Sequence, residues 1–286
     1  MVKSVSWMDT KTKEATLEKV DAVRLNIGFP NWILDKEALE EYYEDIDING
    51  TNFLSDMVNV LGAFALLDLE YVGTEVDFND TMDDPLDVNA YYVPQQNSIR
   101  FKINFLLFSR ALNYGNLGCT LGHELTHGFD NSGRKFDKVG NLRQWWSNAT
   151  VDEYVKRTKC FIHQFDTYKL DILKVNGTKT LPENLADDGG LRAAFMAYQN
   201  VLKHKTEDKL IGFEDFTQEQ LFFLSYANSW CEAWTESYLH SIKGDEHAPN
   251  YYRLIGSLAN NADFARTFNC PKGSRMNPKQ EKCQIW

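Results

Sequence analysis

Two histidines in the segment HELTH constrain the fold and chemistry of this 286-residue chain more than any other feature. Positions i and i+4 of an α-helix lie on one face, so His123 and His127 can bind the same metal ion. Glu124 is rotated by about 100° from His123 around the helix and can reach a water molecule beside that ion. Two zinc ligands and a general base are the physical content of the HExxH pattern. The alternative is a surface helix that carries two histidines without a metal.

A catalytic zinc site needs a third protein ligand and an open position for water. The pattern HExxHxxGxxH would supply a third histidine, but this chain has Asp130 and Gly133 where that pattern needs glycine and histidine. The segment ENLADDGGL offers Glu183 instead, and Asp187 lies four residues later on the same helical face. We therefore predict a site of two histidines and one glutamate, completed by Glu183.

Two aspartates are placed to orient the predicted ligand histidines. Asp187 can accept the free ring N–H of one ligating histidine, and Asp130, three residues after His127, can accept that of the other. For Glu183 the alternative is a carboxylate that stabilises the start of a helix after Pro182. That alternative leaves the position of Asp187 unexplained.

Composition and charge narrow the function classes. A formal net charge of −11 disfavours a nucleic-acid partner. No stretch approaches the roughly 20 apolar residues that span a bilayer, and the first residues lack the apolar core of a signal peptide. We therefore expect no membrane segment, and a start typical of a cytosolic protein or of a fragment.

Five cysteines without CxxC spacing and four sequons favour the secretory pathway, with scattered reduced cysteines as the alternative. The sequons are Asn49, Asn79, Asn148 and Asn176.

The hydrophobic pattern predicts a mostly helical α+β fold with one small sheet ahead of the histidine helix. The segment VNAYYVPQQNSIRFKI predicts a β-hairpin around PQQN, with Pro94 at the end of a strand. The segment FNDTMDDPLD, residues 78–87, predicts a loop. The first predicted helix rests on apolar residues from Leu17 to Ile27. The predicted helices cover residues 12–27, 52–67, 117–129, 151–165, 183–203, 217–242 and 250–266.

Beyond the histidine motif, four long segments follow one another: NYGNLGCTLGHELTHGFDNSGRKFDKVGNL, ENLADDGGLRAAFMAYQ, QLFFLSYANSWC and DEHAPNYYRLIGSLANNADFARTFNCPKGSRMNP. In order and spacing they resemble the catalytic region of the neprilysin family of zinc metalloendopeptidases. The resemblance runs from VSWMD to Trp286 and includes the terminal Cys-x-x-Trp. It implies a thermolysin-like zinc peptidase catalytic domain over residues 1–286, with a helical lead-in over 1–85 and a zinc-binding catalytic core over 86–286.

The resemblance assigns roles around one zinc ion per chain. It implies that His123, His127 and Glu183 are the zinc ligands. It also implies that Glu124 is the base acting on a zinc-bound water, and that Asp187 orients a ligand histidine. The function so implied is hydrolysis of peptide bonds in oligopeptides.

The resemblance also implies residues that bind a peptide substrate. The segment VNAYY resembles an edge strand that pairs with an extended peptide. In that strand Asn89 would bind the substrate through its side-chain amide and Ala90 through its carbonyl. His247, held by Asp245, resembles the histidine that hydrogen-bonds the oxyanion. Arg253 resembles the arginine that binds the substrate downstream of the cut.

Several departures from the family pattern bear on these expectations. The family has a large N-terminal region that caps the active site and carries a membrane anchor or secretion signal. We therefore expect a missing cap region in a longer parent protein, at the cell surface or outside the cell. Cys160 and Cys283 match a family disulfide. Cys231 and Cys270 match cysteines that pair with the cap, so we expect them to lack partners.

The expected specificity pocket also departs from the family pattern. Cys119, Thr120 and Ser229 replace larger apolar residues, which argues against a strict preference for a bulky apolar residue after the cut. The segment between IRF and LNYG is shorter than in the family. The alternative function is a truncated, non-catalytic relative that binds peptides or zinc as a secreted glycoprotein. An aminopeptidase would need a site for the substrate amine, and no such motif is evident.

Overall fold

The computed structural model describes residues 1–74, 88–102 and 109–286. The predicted loop at 78–87, the sequon at Asn79 and the short segment after IRF lie outside these residues. Within the described residues the protein is mostly helical with two small sheets, which confirms the predicted α+β class. No helix among the described residues has both the length and the apolar character needed to cross a bilayer.

The elements are numbered here along the described residues. The helices are α1 Thr10–Asp21, α2 Lys36–Tyr42, α3 Phe53–Glu70, α4 Arg110–Asn113, α5 Cys119–His127, α6 Asn148–Asp166, α7 Leu181–Leu202, α8 Gln218–Asn228, α9 Glu236–Ser241, α10 Asn250–Asn260 and α11 Ala262–Thr267. The strands are β1 Arg24–Ile27, β2 Ala90–Val93, β3 Ser98–Phe101, β4 Lys169–Leu170 and β5 Leu173–Lys174.

The predicted helix over 12–27 is wrong in its last part. Helix α1 ends at Asp21, and the residues from Arg24 form β1, which pairs in parallel with β3. Backbone hydrogen bonds to a distant strand therefore override the local helical periodicity. The buried face of α1 is also not the apolar stripe, because its buried residues are Thr12, Thr16 and Lys19.

The predicted hairpin is confirmed. Strands β2 and β3 pair antiparallel with Ala90 opposite Phe101, and Pro94 directly follows β2. Asn97 takes a left-handed backbone conformation, with φ of 46°, just before β3 begins. The strand order is β1-β3-β2, so β2 lies at an edge of the described sheet.

Two long helices that the sequence predicted are each broken in the structure. The region 217–242 divides into α8 and α9, and the side chain of Thr235 caps α9 by accepting the N–H of Tyr238. The region 250–266 divides at Asn261, whose side chain accepts the N–H of Phe264 and so begins α11. Side-chain caps of this kind start a new helix where hydrophobic spacing alone would continue the old one.

Helix α7 contributes to two hydrophobic cores and is thereby fixed at both ends. Its C-terminal half packs with the aromatic residues of α8, and its first turns pack with a cluster around the C-terminal segment. The Cys160–Cys283 disulfide ties that segment to α6, and the indole N–H of Trp7 donates to the carbonyl of Ile285 at 2.9 Å. The second core includes Phe129, Trp146, Tyr154, Leu181, Leu185 and Trp286.

Candidate metal centre and substrate cleft

Helices α5 and α7 cross at very short range, and this crossing brings the predicted ligands together. A Cβ atom on Gly122 would lie 2.7 Å from the carbonyl oxygen of Gly190, and one on Gly190 would lie 2.4 Å from the backbone nitrogen of His123. Only glycine permits this approach of the two backbones. The sequence GHELTH thus meets the sequence DDGG directly, one helix against the other.

Three ligand side chains converge at this crossing. His123 Nε2 lies 3.2 Å from Glu183 Oε2, and His127 Nε2 lies 3.4 Å from Glu183 Oε1. The two histidine Nε2 atoms are 2.9 Å apart. One donor atom from each residue lies within 4.8 Å of the others, which makes the set a candidate metal site.

Each of the two histidines is oriented by a buried carboxylate. His123 Nδ1 lies 2.8 Å from Asp187 Oδ1, and His127 Nδ1 lies 2.8 Å from Asp130 Oδ2. A carboxylate accepts a hydrogen bond, so each Nδ1 carries a proton and each Nε2 is the atom left to bind either a metal ion or a second proton. With both Nε2 atoms unprotonated, their lone pairs and the Glu183 carboxylate repel one another unless a metal ion lies among them. The nitrogen and oxygen donors therefore fit zinc.

The charges of the site attract cations strongly. Burial lowers the pKa of His127, but hydrogen bonds to Asp130 and Glu183 outweigh burial and raise it to about 10. Burial likewise lowers the pKa of His123, and hydrogen bonds to Asp187 and Glu183 more than reverse this. Burial raises the pKa of Glu183, yet its hydrogen bonds with the histidines hold it well below the usual range. Protons and a metal ion compete for the same nitrogens.

Glu124 lines the cleft beside the ligands and is not part of the converging set. Its side chain is nearly buried, at 5% exposed. Burial raises the pKa of its carboxyl, and the neighbouring His123 and His127 oppose that rise. A carboxylate with a raised pKa holds a proton more readily, as a general base requires.

His247 stands at the rim of the candidate site. Its Nδ1 lies 2.9 Å from Asp245 Oδ1, and its backbone N–H donates to the same oxygen at 2.8 Å. Its Nε2 lies 3.2 Å from Glu183 Oε2. The hydrogen bond to Glu183 raises the pKa of His247, against the effect of burial. The ring is half-exposed and faces both the ligand carboxylate and the cleft.

Arg253 lies deeper than a residue that only binds substrate would need to lie. Its Nε and Nη2 donate to Asp187 Oδ2 and Oδ1, each at 2.8 Å, and Nη2 is 3.4 Å from Glu183 Oε2. Its guanidinium carbon lies 4.3 Å from the ring centroid of Trp230. The arginine therefore contacts Glu183 and the carboxylate that orients His123, and it also lines the cleft.

The cleft beside the ligands has a volume of about 380 Å³. Asn89 and Ala90 lie along one wall at the start of the edge strand β2, and the Asn89 side-chain oxygen accepts the N–H of Ala90 at 2.9 Å. Cys119, Thr120 and Ser229 also line the cleft, so the small and polar residues singled out in the sequence do border this space.

Two further cleft residues were not singled out in the sequence analysis. Asn116 comes from the π-helical turn Tyr114–Gly118 that precedes α5, and Tyr226 comes from α8. Tyr226 reaches the cleft from a helix that is distant in sequence, whereas Asn116 lies in the turn that directly precedes the histidine helix. Helical spacing could have indicated Asn116, which lies four residues before Thr120 and seven before His123, but it carries no signal for Tyr226.

The cysteines follow the pattern that the resemblance implied. Cys160 and Cys283 form a disulfide. Cys231 is exposed and Cys270 is half-buried, and both are free thiols, as is the buried Cys119.

Comparisons with known proteins identify the family. The sequence profile of peptidase family M13 matches residues 89–285. An endothelin-converting enzyme homolog of Locusta migratoria is 39% identical over 100% of this chain and 40% of its own length. Endothelin-converting enzyme 1 of Rattus norvegicus is 38% identical over 99% of this chain and 38% of its own length. The chain thus spans about two fifths of these curated relatives.

Comparison with solved structures points to the same family. A crystal structure of a zinc metalloprotease from Mycobacterium tuberculosis, in complex with an inhibitor, has a TM-score of 0.88 at 27% identity, over 100% of this chain and 44% of that one. A Haemonchus galactose-containing glycoprotein complex also has a TM-score of 0.88, at 28% identity, over 100% of this chain and 46% of that one. Because the profile covers well over half of the sequence and the motifs fall where the structure gathers them, the chain belongs to peptidase family M13, the neprilysin family.

Proposed function

We propose that this chain is a zinc-dependent metalloendopeptidase that hydrolyses peptide bonds of oligopeptides. The observation that carries the proposal is the convergence of His123, His127 and Glu183, with Glu124 buried beside them. The names of the family and of its relatives support a metallopeptidase of this kind. Zinc in this site would polarise the scissile carbonyl and a water molecule, which lowers the barrier to attack.

The chain's own residues divide the remaining chemistry. Glu124 takes the proton of the attacking water and delivers it to the leaving amine. His247 donates a hydrogen bond to the oxyanion that forms on the substrate carbonyl, and Asp245 holds the imidazole in place. Asp187 and Asp130 keep the ligand histidines in their tautomers.

The edge strand β2 gives the substrate its orientation. An extended peptide can add to the edge of a sheet through main-chain hydrogen bonds. Strand β2 begins at Ala90, Asn89 directly precedes it, and both residues line the cleft together with His123. Because the Asn89 oxygen already accepts the N–H of Ala90, the Asn89 amide group faces the substrate as a donor.

We also propose that the lead-in over 1–85 and the core over 86–286 act as one unit. The pairing of β1 with β3 supports this, although the boundary itself lies outside the described residues. An extracellular or cell-surface location is a proposal supported by the Cys160–Cys283 disulfide and by exposed sequon asparagines. We likewise propose that a cap region in a longer parent protein accompanies this chain.

The test uses the full chain with an internally quenched peptide whose two ends are blocked. Cleavage of an internal bond, located by mass spectrometry, is expected with zinc present. The cleavage should stop on chelation and return with about one zinc per chain. Blocked ends exclude an aminopeptidase, because that enzyme needs a free substrate amine.

The matched control is Glu124→Gln, which keeps the shape and the ligands but not the base. It should retain zinc and lose at least ~10²-fold in kcat. A wild-type chain that binds zinc and peptide without cutting the peptide would contradict the proposal and favour the non-catalytic alternative. Near-normal turnover in Glu124→Gln would remove Glu124 from the mechanism.

A further inference from the structure

Lys19 is completely buried between α1 and the turn that follows the histidine helix. Its ammonium nitrogen donates to the carbonyl oxygens of Gly128, Gly133 and Phe136 at 2.7, 2.9 and 2.7 Å. An ammonium group has three N–H donors, so these carbonyls satisfy all of them. The acceptors belong to one short segment, residues 128–136, called here the 128–136 turn.

The surroundings of Lys19 act on its charge in opposite directions. Helix α5 ends at His127, and the last carbonyls of a helix carry partial negative charge. The ammonium nitrogen lies 5.2 Å from the ring centroid of Phe129 and 5.6 Å from that of Trp145. Burial lowers the pKa of Lys19 to about 7, against the opposing effect of nearby carboxylates. A charge so poorly hydrated requires fixed partners, and the carbonyls of the turn are those partners.

The 128–136 turn also holds the carboxylate that orients a ligand. Asp130 Oδ1 accepts the backbone N–H groups of Ser132 and Gly133, each at 2.7 Å, while Oδ2 contacts His127 Nδ1. A Cβ atom on Gly133 would lie 1.8 Å from the carbonyl oxygen of His127, so the turn lies directly on the end of the helix. The shape of the turn therefore determines where the Asp130 carboxylate stands.

We propose that Lys19 is a positioning residue for the metal site, which holds the 128–136 turn so that Asp130 keeps His127 aimed at the ion. This inference rests on the metal site of the proposed function and goes beyond it. Lys19 lies well before residues 89–285, the part of the chain that the family profile matches. It acts on the site through the backbone of the turn.

The first measurement is the zinc dissociation constant of the full chain, by competition with a chromophoric chelator. Lys19→Met keeps the length of the side chain and removes every donor. We expect zinc affinity to fall about tenfold, as it does when groups that orient ligand histidines are lost. Lys11→Met, at an exposed lysine of the same helix, is the matched control and should bind zinc like the wild type.

The second measurement needs no metal. The Nδ1 proton of His127, hydrogen-bonded to Asp130, should give a low-field proton resonance in the apoprotein. Lys19→Met should shift or broaden it, while a general loss of stability below the melting temperature would leave it in place. In a double-mutant cycle, Asp130→Asn should largely remove the effect of Lys19→Met on zinc affinity, because both substitutions act through one carboxylate.

The outcomes separate the two proposals. A folded Lys19→Met variant with wild-type zinc affinity would overturn the positioning role. So would a double variant in which Lys19→Met and Asp130→Asn each lower the zinc affinity by the same factor as they do alone. If Lys19→Met does not fold, the same measurements are made on Lys19→Gln, which keeps two N–H donors. If neither folds, Lys19 is required for the fold itself and the proposal is wrong. A wild-type chain that bound no zinc would defeat the proposed function, while the His127 resonance would still decide the role of Lys19.

Discussion

Arg253 and Asp187 form a bidentate ion pair, with both N–O distances at 2.8 Å, behind the histidine that Asp187 orients. From the sequence we expected Arg253 to act on the substrate alone. The pair also brings the arginine to the candidate metal site. Asp187 is buried, and the nearby guanidinium holds the pKa of its carboxyl down against the effect of burial. Removing the arginine would leave a buried carboxylate without its cation.

We therefore predict that Arg253→Ala weakens zinc binding by about tenfold or more and also raises KM for short peptides. Arg253→Lys keeps the charge but not the paired donors, so its zinc affinity and its KM should lie between those of Arg253→Ala and those of the wild type. Zinc competition and steady-state kinetics measure the two effects separately. Unchanged zinc affinity together with a raised KM would restore a role toward substrate only.

His247→Ala should lower kcat by ~10²-fold or more with little change in KM. The reason is that a hydrogen bond to the oxyanion strengthens only as charge develops on the substrate. Asp245→Asn is the companion variant, since Asp245 holds the ring through Nδ1. Its defect should be smaller and should also fall on kcat. A variant of His247 that changes KM alone would show that the ring binds the ground state.

Glu183→Ala should abolish tight zinc binding, because it removes the one carboxylate among the converging donor atoms. Asp187→Asn should weaken zinc binding less, since it leaves all three ligands and changes only the partner of His123. Metal analysis after dialysis gives the comparison. Retention of stoichiometric zinc and full activity by Glu183→Ala would show that a different residue is the third ligand.

Loss of the Cys160–Cys283 disulfide, by Cys160→Ser with Cys283→Ser, should reduce the free energy of unfolding by about 2–5 kcal/mol. The bond closes a loop with a sequence separation of 123, which constrains the unfolded chain strongly. Cys231→Ser and Cys270→Ser are the controls and should be nearly neutral, because both are free thiols. Peptide mapping without reduction checks the pairing, and a Cys231–Cys270 bridge would contradict it.

Asp9→Ala should destabilise the chain by about 1–2 kcal/mol at neutral pH, as the loss of a helix cap does. The Asp9 carboxylate accepts the N–H of Thr12 at 3.0 Å and the hydroxyl groups of Ser147 and Thr150 at 2.6 and 2.7 Å, which joins α1 to α6. Glu14→Ala, at an exposed residue of α1, should change stability by much less.

The same carboxylate predicts a pH dependence. Hydrogen bonds, that of Ser147 first, hold the pKa of Asp9 well below its usual 3.8. Its contribution to stability is therefore present above pH 3.8 and is lost as pH falls through the lower value in the folded state. The difference in free energy of unfolding between wild type and Asp9→Ala should narrow below about pH 4. A difference that stayed constant down to pH 3 would contradict the lowered pKa.

The convergence of the three predicted ligands could be anticipated because much of its information is local. The spacing of His123 and His127 places both on one helical face, and Asp130 follows within a turn. Glu183 and Asp187 repeat that spacing on a second helix, so chemistry alone suggested that the two segments meet. The approach of the two helices, by contrast, depends on backbone contacts that no spacing reveals.

Lys19 shows why the rest could not be predicted. A lysine in a helix is typical of a solvated face, and the apolar residues around it suggested a different buried stripe. Its carbonyl partners lie 109 to 117 residues away, and their geometry exists only in the finished fold. The same holds for β1, whose partner strand begins more than seventy residues later.

The contact between Trp7 and the segment that ends at Trp286 governs the order in which this protein can mature during synthesis. The indole of Trp7 bonds to the backbone of Ile285, 278 residues away, and the core that receives it also contains Phe129, Leu181 and Leu185. The ribosome synthesises the amino-terminal part first, so Trp7 lacks this contact until residues 283–286 emerge. Helix α7, which carries Glu183, contributes Leu181 and Leu185 to that core, and Phe129 lies just after the histidine helix. The core beside the candidate metal site is therefore complete only after residues 283–286 have been synthesised.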